Sequence, residues 1–524
     1  MLKRVQILQY MSLRGAQPRS NRSVFAGTRL LRLRLAMTKP SHCGCLALLM
    51  LILAPGAWSE TLVSGNVSGY WTVLGSPYIV VGSITVPANQ FLTIQAGVEV
   101  RFQGDFNFLV LGGMCAWGNA VDSVKFIANV GQIPSSWKYI EYRDAWPDSA
   151  RLRYCLIEAG DRAVYADGSE VLLEHCLIQK HAQAPVRGSS AQITLDNSTI
   201  TNCGASGLSL DNTSAQVLNC DITDSYGATG HGITASNGSD ITVNGGYIGN
   251  NIGWGIIGVS IGTVDLQNVE IAGNADGGVS LSFGTLFTAS RAIIHDNDWH
   301  GIYLLQTPAD ARNMTISGNF QDGIFCSNAD LEISSSIIDR NGSWGIEVQT
   351  PAVGDLSYND YFDNSAGNYL GADPGTGSIE VDPLYENYAT RNFNLQAGSP
   401  CVDTGNPNDP TDPDGTRTDM GALFLNQSPA PRAIPAPQSY QFIGAYPNPF
   451  NPNLTIHVYC PAPGSASLNA YSPDGRLAAA IWQGRLIPGL NEFHWRADHL
   501  ASGVYLLKLE SPQGSHALRC SLVR

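Results

Sequence analysis

A chain of 524 residues with 30 basic and 44 acidic side chains has a formal charge of −14, which argues against nucleic acid and anionic lipid as partners. Only 14% of its residues are charged, against about 25% in an ordinary globular protein, so Ser, Thr, Asn and Gly must build much of the surface. At this length the chain accommodates several domains and readily buries a continuous core.

Residues 1–59 read as a leader and signal peptide. The first 36 residues contain seven arginines, one lysine and no acid. From Met37 a Sec-type signal is legible: Lys39 as the charged region, an apolar run over 46–54, and Ala57-Trp58-Ser59 with small residues at the −3 and −1 positions. Cleavage is expected after Ser59, and the mature protein is expected outside the cytoplasm. No other stretch is apolar over the ~20 residues a spanning helix needs, so no transmembrane anchor is expected.

Residues 60–160 alternate apolar and polar side chains in short, ragged runs, as in SPYIVVGSITVPANQFLTIQAGVEVRF. Residues 63–78 are expected to form an N-terminal cap, because an open parallel edge invites pairing with other chains. RYCLIEAG and EHCLIQKH then lead, through Ile157 and Ile178, into a regular region over 161–372.

There an isoleucine recurs at Ile200, Ile222, Ile248, Ile271, Ile294, Ile316 and Ile338, at spacings of 22, 26, 23, 23, 22 and 22. Three residues later asparagine stands in five successive units, at Asn251, Asn274, Asn297, Asn319 and Asn341. A glycine then precedes a second apolar column: Leu208, Ile233, Ile256, Val279, Ile302, Ile324 and Ile346. A fixed period of this length marks a solenoid. Each unit holds runs of only three to five residues, rich in Ile, Val and Thr, with Gly, Asn, Asp and Ser to supply corners of positive φ. Stacked coils would place every strand beside its own copy, ~4.8 Å away, with the isoleucines in one internal column and the asparagine amides in a corner ladder. This I-x-x-N-x-x-x-G-I pattern resembles that of the right-handed parallel β-helix (pectate-lyase-like) proteins. The resemblance implies an all-β solenoid and no particular activity, because such a fold hosts lyases, hydrolases, adhesins and inert stalks.

Residues 356–368 read as a last, degenerate coil, with Tyr361 in the isoleucine column and Asn364 in the asparagine row. A segment at 373–426 is expected to close the helix. Its SPCVDTG, DPDGTR and DMGA look like a motif found after bacterial surface β-helices. Residues 427–439 form a proline-rich linker, expected to be stiff and extended. From 440 to 524, six short alternating runs and a Pro-Asp-Gly turn at 473–475 predict a small antiparallel β-sandwich. Its AYPNPFNPNLTIHVY, SPDGRLA, GLNEFHW and ASGVYLLKLES resemble the C-terminal sorting domain of the type IX secretion system. That likeness implies the secretion machinery as a partner, passage across an outer membrane, and a secreted or outer-membrane-surface location in a Gram-negative-type bacterium.

Nine cysteines follow the leader. Cys155, Cys176 and Cys220 each stand two residues before a column isoleucine, and Cys326 is at an inward position, so they read as small core hydrophobes. Cys460 and Cys520, on the first and last of the sandwich runs, are the one pair placed to be tested as a disulfide. Asp403, Asp412, Asp414 and Asp419 alternate closely enough to bind calcium, although Asp beside Pro and Gly is also ordinary turn chemistry. No other cofactor is implied.

Polygalacturonase-type enzymes of this fold carry a Gly-His-Gly, matched here by Gly230-His231-Gly232, but their paired aspartates and Arg-x-Lys are not visible. His231 instead occupies a variable position before the repeat glycine, where Trp254, Gly277, His300, Asp322 and Trp344 stand in other coils. The best outward constellation for a lyase or glycosidase is Glu270, His295, Asp296, Asp339 and Arg340, flanking the first isoleucine column, with carboxylates roughly 5–10 Å apart. For a ligand, Trp254, Trp299 and Trp344 lie 45 and 45 residues apart, two coils each time. A rise of ~9.6 Å over two coils would suit aromatic stacking on alternate sugars of an extended polysaccharide, with His300 and Asp322 between. The reading that follows is a non-catalytic glycan-binding or adhesion scaffold. The alternatives are a polysaccharide lyase or glycoside hydrolase acting on the helix face, and a plain structural stalk.

Overall fold

The computed structural model describes residues 60–131, 133–146, 149–349, 354–427 and 439–524. Residues 1–59, read as a leader and signal peptide, and most of the proline-rich linker lie outside the described residues. Strands from Thr61–Asn66 to Gly367–Leu370 form one 36-stranded system in which each pairs in parallel with its counterparts in the neighbouring coils. A representative coil consists of Gln192–Asp196, Thr199–Thr201 and Leu208–Asp211. The short alternating runs thus become three strands per coil, apolar side chains inward.

The two apolar columns stack in register. Ile157, Ile178, Ile200, Ile222, Ile248, Ile271, Ile294, Ile316 and Ile338 pair coil to coil, continuing into Tyr361. Leu208 to Ile346 do the same on the second column. All are buried. The asparagine row is an internal ladder: each Nδ2 donates to the next Oδ1, at 3.0, 2.9, 2.9, 3.0 and 2.9 Å from Asn251 through Asn364. Each Nδ2 also donates to the carbonyl of the column residue one coil back, as Asn274 does to Ile248 at 3.2 Å. Before Asn251 the same place is held by Ser225, then Cys203, then His181, whose Nε2 lies 3.1 Å from the Ile157 carbonyl. Burial lowers the His181 pKa to about 4, so this ring is neutral.

The repeat glycine has a different role from the one expected. Corners of positive φ fall instead to residues such as Asn197, Asn202 and Asn212, at φ 47°, 56° and 47° within one coil. At Gly232, Gly255, Gly278, Gly301 and Gly323, an added Cβ would lie 2.4–2.7 Å from the carbonyl oxygen of the next coil's glycine. These positions are glycine so that successive coils can approach closely.

Three expectations are corrected. Residues 63–78 do not form a separate cap, for Thr61–Asn66 and Gly69–Trp71 are strands that pair in parallel with the next coil. The segment after 373 crosses the end of the solenoid only at its start, where Ile379 bridges Asp360 in parallel and its amide donates to the Asn359 carbonyl at 2.8 Å. It then runs back along one flank, where Arg391 pairs with Asp296, Asn313 donates to Thr418 Oγ1 at 2.9 Å, and Arg291 pairs with Asp412 at 3.0 Å. Finally, Cys460 and Cys520 are free buried thiols, like the other described cysteines. Cys460 donates to the Ala462 carbonyl at 2.9 Å.

The C-terminal domain packs a three-stranded sheet (Gln441–Tyr446, Asn453–Cys460 and Gly489–Arg496) against a four-stranded one (Leu477–Leu486, Gly464–Tyr471, Gly503–Ser511 and Gly514–Leu522). Phe450, Leu454, Ile456, Leu468, Trp495 and Leu507 fill its core. All six runs read from the sequence are strands. A seventh, Gln441–Tyr446, is additional. Among the described residues no helix is long and apolar enough to cross a membrane.

Because Ile271 is fully buried between Ile248 and Ile294, Ile271→Asp should lower stability by ~3–5 kcal/mol, while Ile271→Val should cost ~1 kcal/mol. Chemical denaturation would measure both, and equal stability of the Asp variant and the parent would refute the register.

Candidate functional site

Of the residues first considered for catalysis, His295, Asp296, Asp339 and Arg340 contact the returning segment and Glu270 stays exposed. His295 sits between two carboxylates, Nε2 at 3.0 Å from Glu270 Oε1 and Nδ1 at 2.9 Å from Asp296 Oδ2. Arg391 grips both oxygens of Asp296, and Phe393 lies edge-on to the His295 ring at 5.1 Å. Burial pulls the His295 pKa down, but its two carboxylate partners outweigh that and hold it above the ordinary value. Burial likewise raises Asp296, yet His295 and Arg391 bring it below the usual carboxylate range.

Asp339 is fully buried, with Arg340 against one oxygen and the Tyr385 hydroxyl donating to the other at 3.1 Å. Burial outweighs these partners and raises its pKa to about 6. Arg340 stacks on Tyr388 at 4.5 Å and pairs with Asp382 at 3.2 Å. The structure therefore brings Glu270, His295 and Asp296 together, and separately Asp339 and Arg340. Asp296, Asp339 and Arg340 hold the segment down, whereas Glu270 stays exposed beside His295. The sequence could not show this, because Tyr385, Tyr388 and Arg391 come from a segment expected elsewhere.

The aspartates considered for calcium are engaged by their own turns. Asp412 accepts from Arg291 and from the Asp419 amide at 2.8 Å. Asp419 accepts from the amides of Asp403 and Leu425 at 2.6 and 2.7 Å. Asp414 accepts from Thr416 and from the Gln427 amide. Asp403 accepts from Gln427 Nε2 at 2.9 Å. No group of three or more His, Cys, Asp or Glu side chains is arranged to hold a metal among the described residues, and these four carboxylates do not converge on a shared centre.

The tryptophan row departs from an even ladder. Trp254 and Trp299 are 5.6 Å apart between ring centroids and inclined by 52°, far closer than two coils of rise. Trp254 is buried over Gly277, and Trp344 lies over Gly367; a Cβ on either glycine would meet the ring at 2.3 Å. Asp322 is buried, with one oxygen accepting the Trp344 amide at 2.8 Å and the other 3.2 Å from His300 Nδ1, a contact not aligned for a hydrogen bond. Burial raises the Asp322 carboxyl, but His300, Ser343 and the Trp344 amide bring it below its ordinary range. Only Trp299, 44% exposed, is presented as the spacing suggested.

Beside it stand two residues that the sequence reading missed. Tyr303 and Phe325 occupy paired outward positions of adjacent coils and stack at 4.9 Å with a 4° interplanar angle. Trp299 lies 6.2 Å from Tyr303, inclined by 21°. The signal was available one residue after Ile302 and Ile324, where aromatics stand at an outward position that holds Ser209, Thr234 and Ser280 in other coils.

One buried acid of the returning segment's bed yields a test. Asp360 has no ion pair among the described residues; it accepts from the Val381 amide at 3.1 Å and the Cys401 thiol at 3.3 Å. Burial raises its pKa to about 7, whereas an unfolded aspartate titrates near ~4. The folded state thus holds the proton more tightly, and the stability it confers falls as pH rises from about 4 to about 7. Asp360→Asn should remove roughly 2–4 kcal/mol of that pH dependence, measured by denaturation at pH 5 and pH 8. Identical pH profiles in variant and parent would assign the effect to other groups.

Residues 144–262, 186–313 and 248–378 each match the family model described as right handed beta helix region. No curated protein matches the chain. Among solved structures, a periplasmic alginate epimerase AlgG mutant is similar at 13% identity and a TM-score of 0.46, covering 56% of this chain and 78% of the other. Pectate lyase Pel9A is similar at 13% identity and a TM-score of 0.38, covering 65% and 89%. The A-module of the mannuronan C-5 epimerase AlgE4 of Azotobacter vinelandii is similar at 12% identity and a TM-score of 0.32, covering 61% and 87%. With its columns, ladder and coil-to-coil pairing, the chain is an all-β protein whose residues 144–378 are a right-handed β-helix repeat region.

Proposed function

We propose that this protein is an exported scaffold that binds a glycan on the solenoid flank carrying Trp299, Tyr303 and Phe325. The observation that carries the reading is the stacked pair Tyr303–Phe325 with the exposed Trp299 beside it. A parallel sheet face lined by apolar rings among hydroxyl-bearing neighbours offers both stacking and hydrogen bonding, which a sugar ring with its apolar face and polar rim can use. Of the carboxylates considered for an enzymatic reading, Asp339 is buried and Asp296 is held by Arg391, while Glu270 stays exposed.

Titration with soluble neutral and acidic oligosaccharides, followed by tryptophan fluorescence, tests this. Trp299→Ala should weaken binding about tenfold, in the ~1–2 kcal/mol range of an aromatic contact, and Trp344→Ala should not. Absence of glycan binding, or equal affinity after loss of Trp299, would leave the flank as packing on a structural stalk.

Export rests on the leader and on the resemblance of the C-terminal domain to type IX sorting domains. That domain has a core of its own, so a chain ending at 427 should fold its solenoid and accumulate in the periplasm. Fractionation that found the truncated chain at the cell surface would remove the sorting role.

A further inference from the structure

The same flank carries, nearer its N-terminal end, a groove of about 570 Å³ lined by Arg162, Gln183, Ser206, Thr229, His231 and Thr234 among others, with no Asp or Glu in its wall. In a chain of net charge −14 that absence is unusual. Arg162 Nε is buried without a hydrogen-bond partner, and among the described residues no carboxylate pairs with the Arg162 guanidinium. Arg187 is next to it, its guanidinium lying over the Tyr165 ring at 5.5 Å, also without an ion pair among the described residues.

The nearby acids are already taken. Asp161 pairs with Lys138 at 3.0 Å and accepts from Ser135, and Arg143 pairs with Glu141 and approaches Asp167 at 3.8 Å. Two arginines therefore stand close together with no carboxylate bonded to either among the described residues; Asp161, held by Lys138, acts on the partly buried Arg162 only at a distance. Such an arrangement costs stability unless an anion joins it.

The rest of the wall supplies donors. His231 Nδ1 accepts the Trp254 amide at 2.9 Å, which leaves its proton on Nε2, and burial lowers its pKa so that the ring is neutral. Ser206 and Thr234 share a 2.6 Å hydroxyl contact. A guanidinium fork, a second cation, an imidazole N–H and hydroxyls match a small oxyanion, carboxylate or sulfate, better than any cation or neutral group.

We propose that this groove is an oxyanion site, with Arg162 as the inner partner of a carboxylate or sulfate group and Arg187 at its rim. The site stands on its own residues and does not require the aromatic platform. Arg162 and Trp254 belong to corner positions four coils apart, ~19 Å along the axis, so one extended ligand could reach both.

The test uses the mature full chain. Calorimetry and thermal denaturation would be run with sodium sulfate, sodium acetate, a uronate disaccharide, a sulfated disaccharide and its desulfated parent. Wild type should be stabilised by the anionic probes and not by the desulfated sugar. Arg162→Met should remain folded, at least as stable as wild type in anion-free buffer, and bind the anionic probes at least tenfold more weakly. Arg162→Lys should recover part of the loss, and Arg476→Gln, on the sandwich, should respond like wild type. Tighter binding of a charged disaccharide than of its free anion would identify a sugar as the carrier, and equal binding a free oxyanion. No anion-dependent stabilisation of the wild type, or the same stabilisation in Arg162→Met, would overturn the proposal.

Discussion

The interaction on which the rest of the molecule depends is the parallel, in-register pairing of each coil with its neighbours. A solenoid has no layer of helices to cover it, and each coil gains stability from the two beside it. Register is held at several levels at once. Isoleucines stack on isoleucines, glycine carbonyls approach so closely that no Cβ fits, and the asparagine amides link coil to coil inside the corner. The ladder is demanding because it is buried. Each Nδ2 must find both the next Oδ1 and a backbone carbonyl, and an amide slipped by one position would leave unpaired donors in a dry corner.

That arrangement explains why a segment with little regular structure should return along one flank. The strands around Glu270–Ala272, Ile293–His295, Thr315–Ser317 and Ile337–Asp339 are three residues long, and their outward side chains include Ile293 and Ile337. Ile337 joins Tyr385, Phe393, Leu395, Cys401 and Met420 in a second small core outside the solenoid. Burying this apolar surface accounts for the covering segment, and the Asp296–Arg391 and Asp412–Arg291 pairs fix its position along the axis. Asp296, Asp339 and Asp412 on this flank thus belong to an internal interface.

What was legible in the sequence follows the same division. Both columns, the asparagine row, Tyr361 and Asn364 at the end of the solenoid, and the inward cysteines were readable because a repeat states the same constraint many times. The six runs of the sandwich were readable from alternation. Gln441–Tyr446 was not, since Gly444 and the prolines after it resemble a loop. The returning segment was missed for a deeper reason. Its contacts join residues such as Asp296 and Arg391, 95 positions apart, and no local pattern reports a pairing of that kind. Periodicity also misled once, because equal spacing of tryptophans along the chain does not mean equal spacing of rings. Trp254 and Trp299 lean toward each other across the intervening coil.

The corner row before the repeat glycine shows how one backbone position comes to do different work. His231 and Asp322 use their side chains to accept an amide from the next coil, Trp254 and Trp344 cover the glycine beneath them, and Gly277 leaves room for such a ring. These roles are complementary between neighbours: an acceptor at 231 is followed by a tryptophan at 254, and an acceptor at 322 by a tryptophan at 344. The row is therefore a set of coupled pairs, and a side chain there is chosen by the coil next to it. Arg162, in the same row, has no such complement: the position after it is Ala184, which offers it nothing to bind. A row in which His231 and Asp322 are answered from within the protein leaves its one guanidinium to be answered from outside.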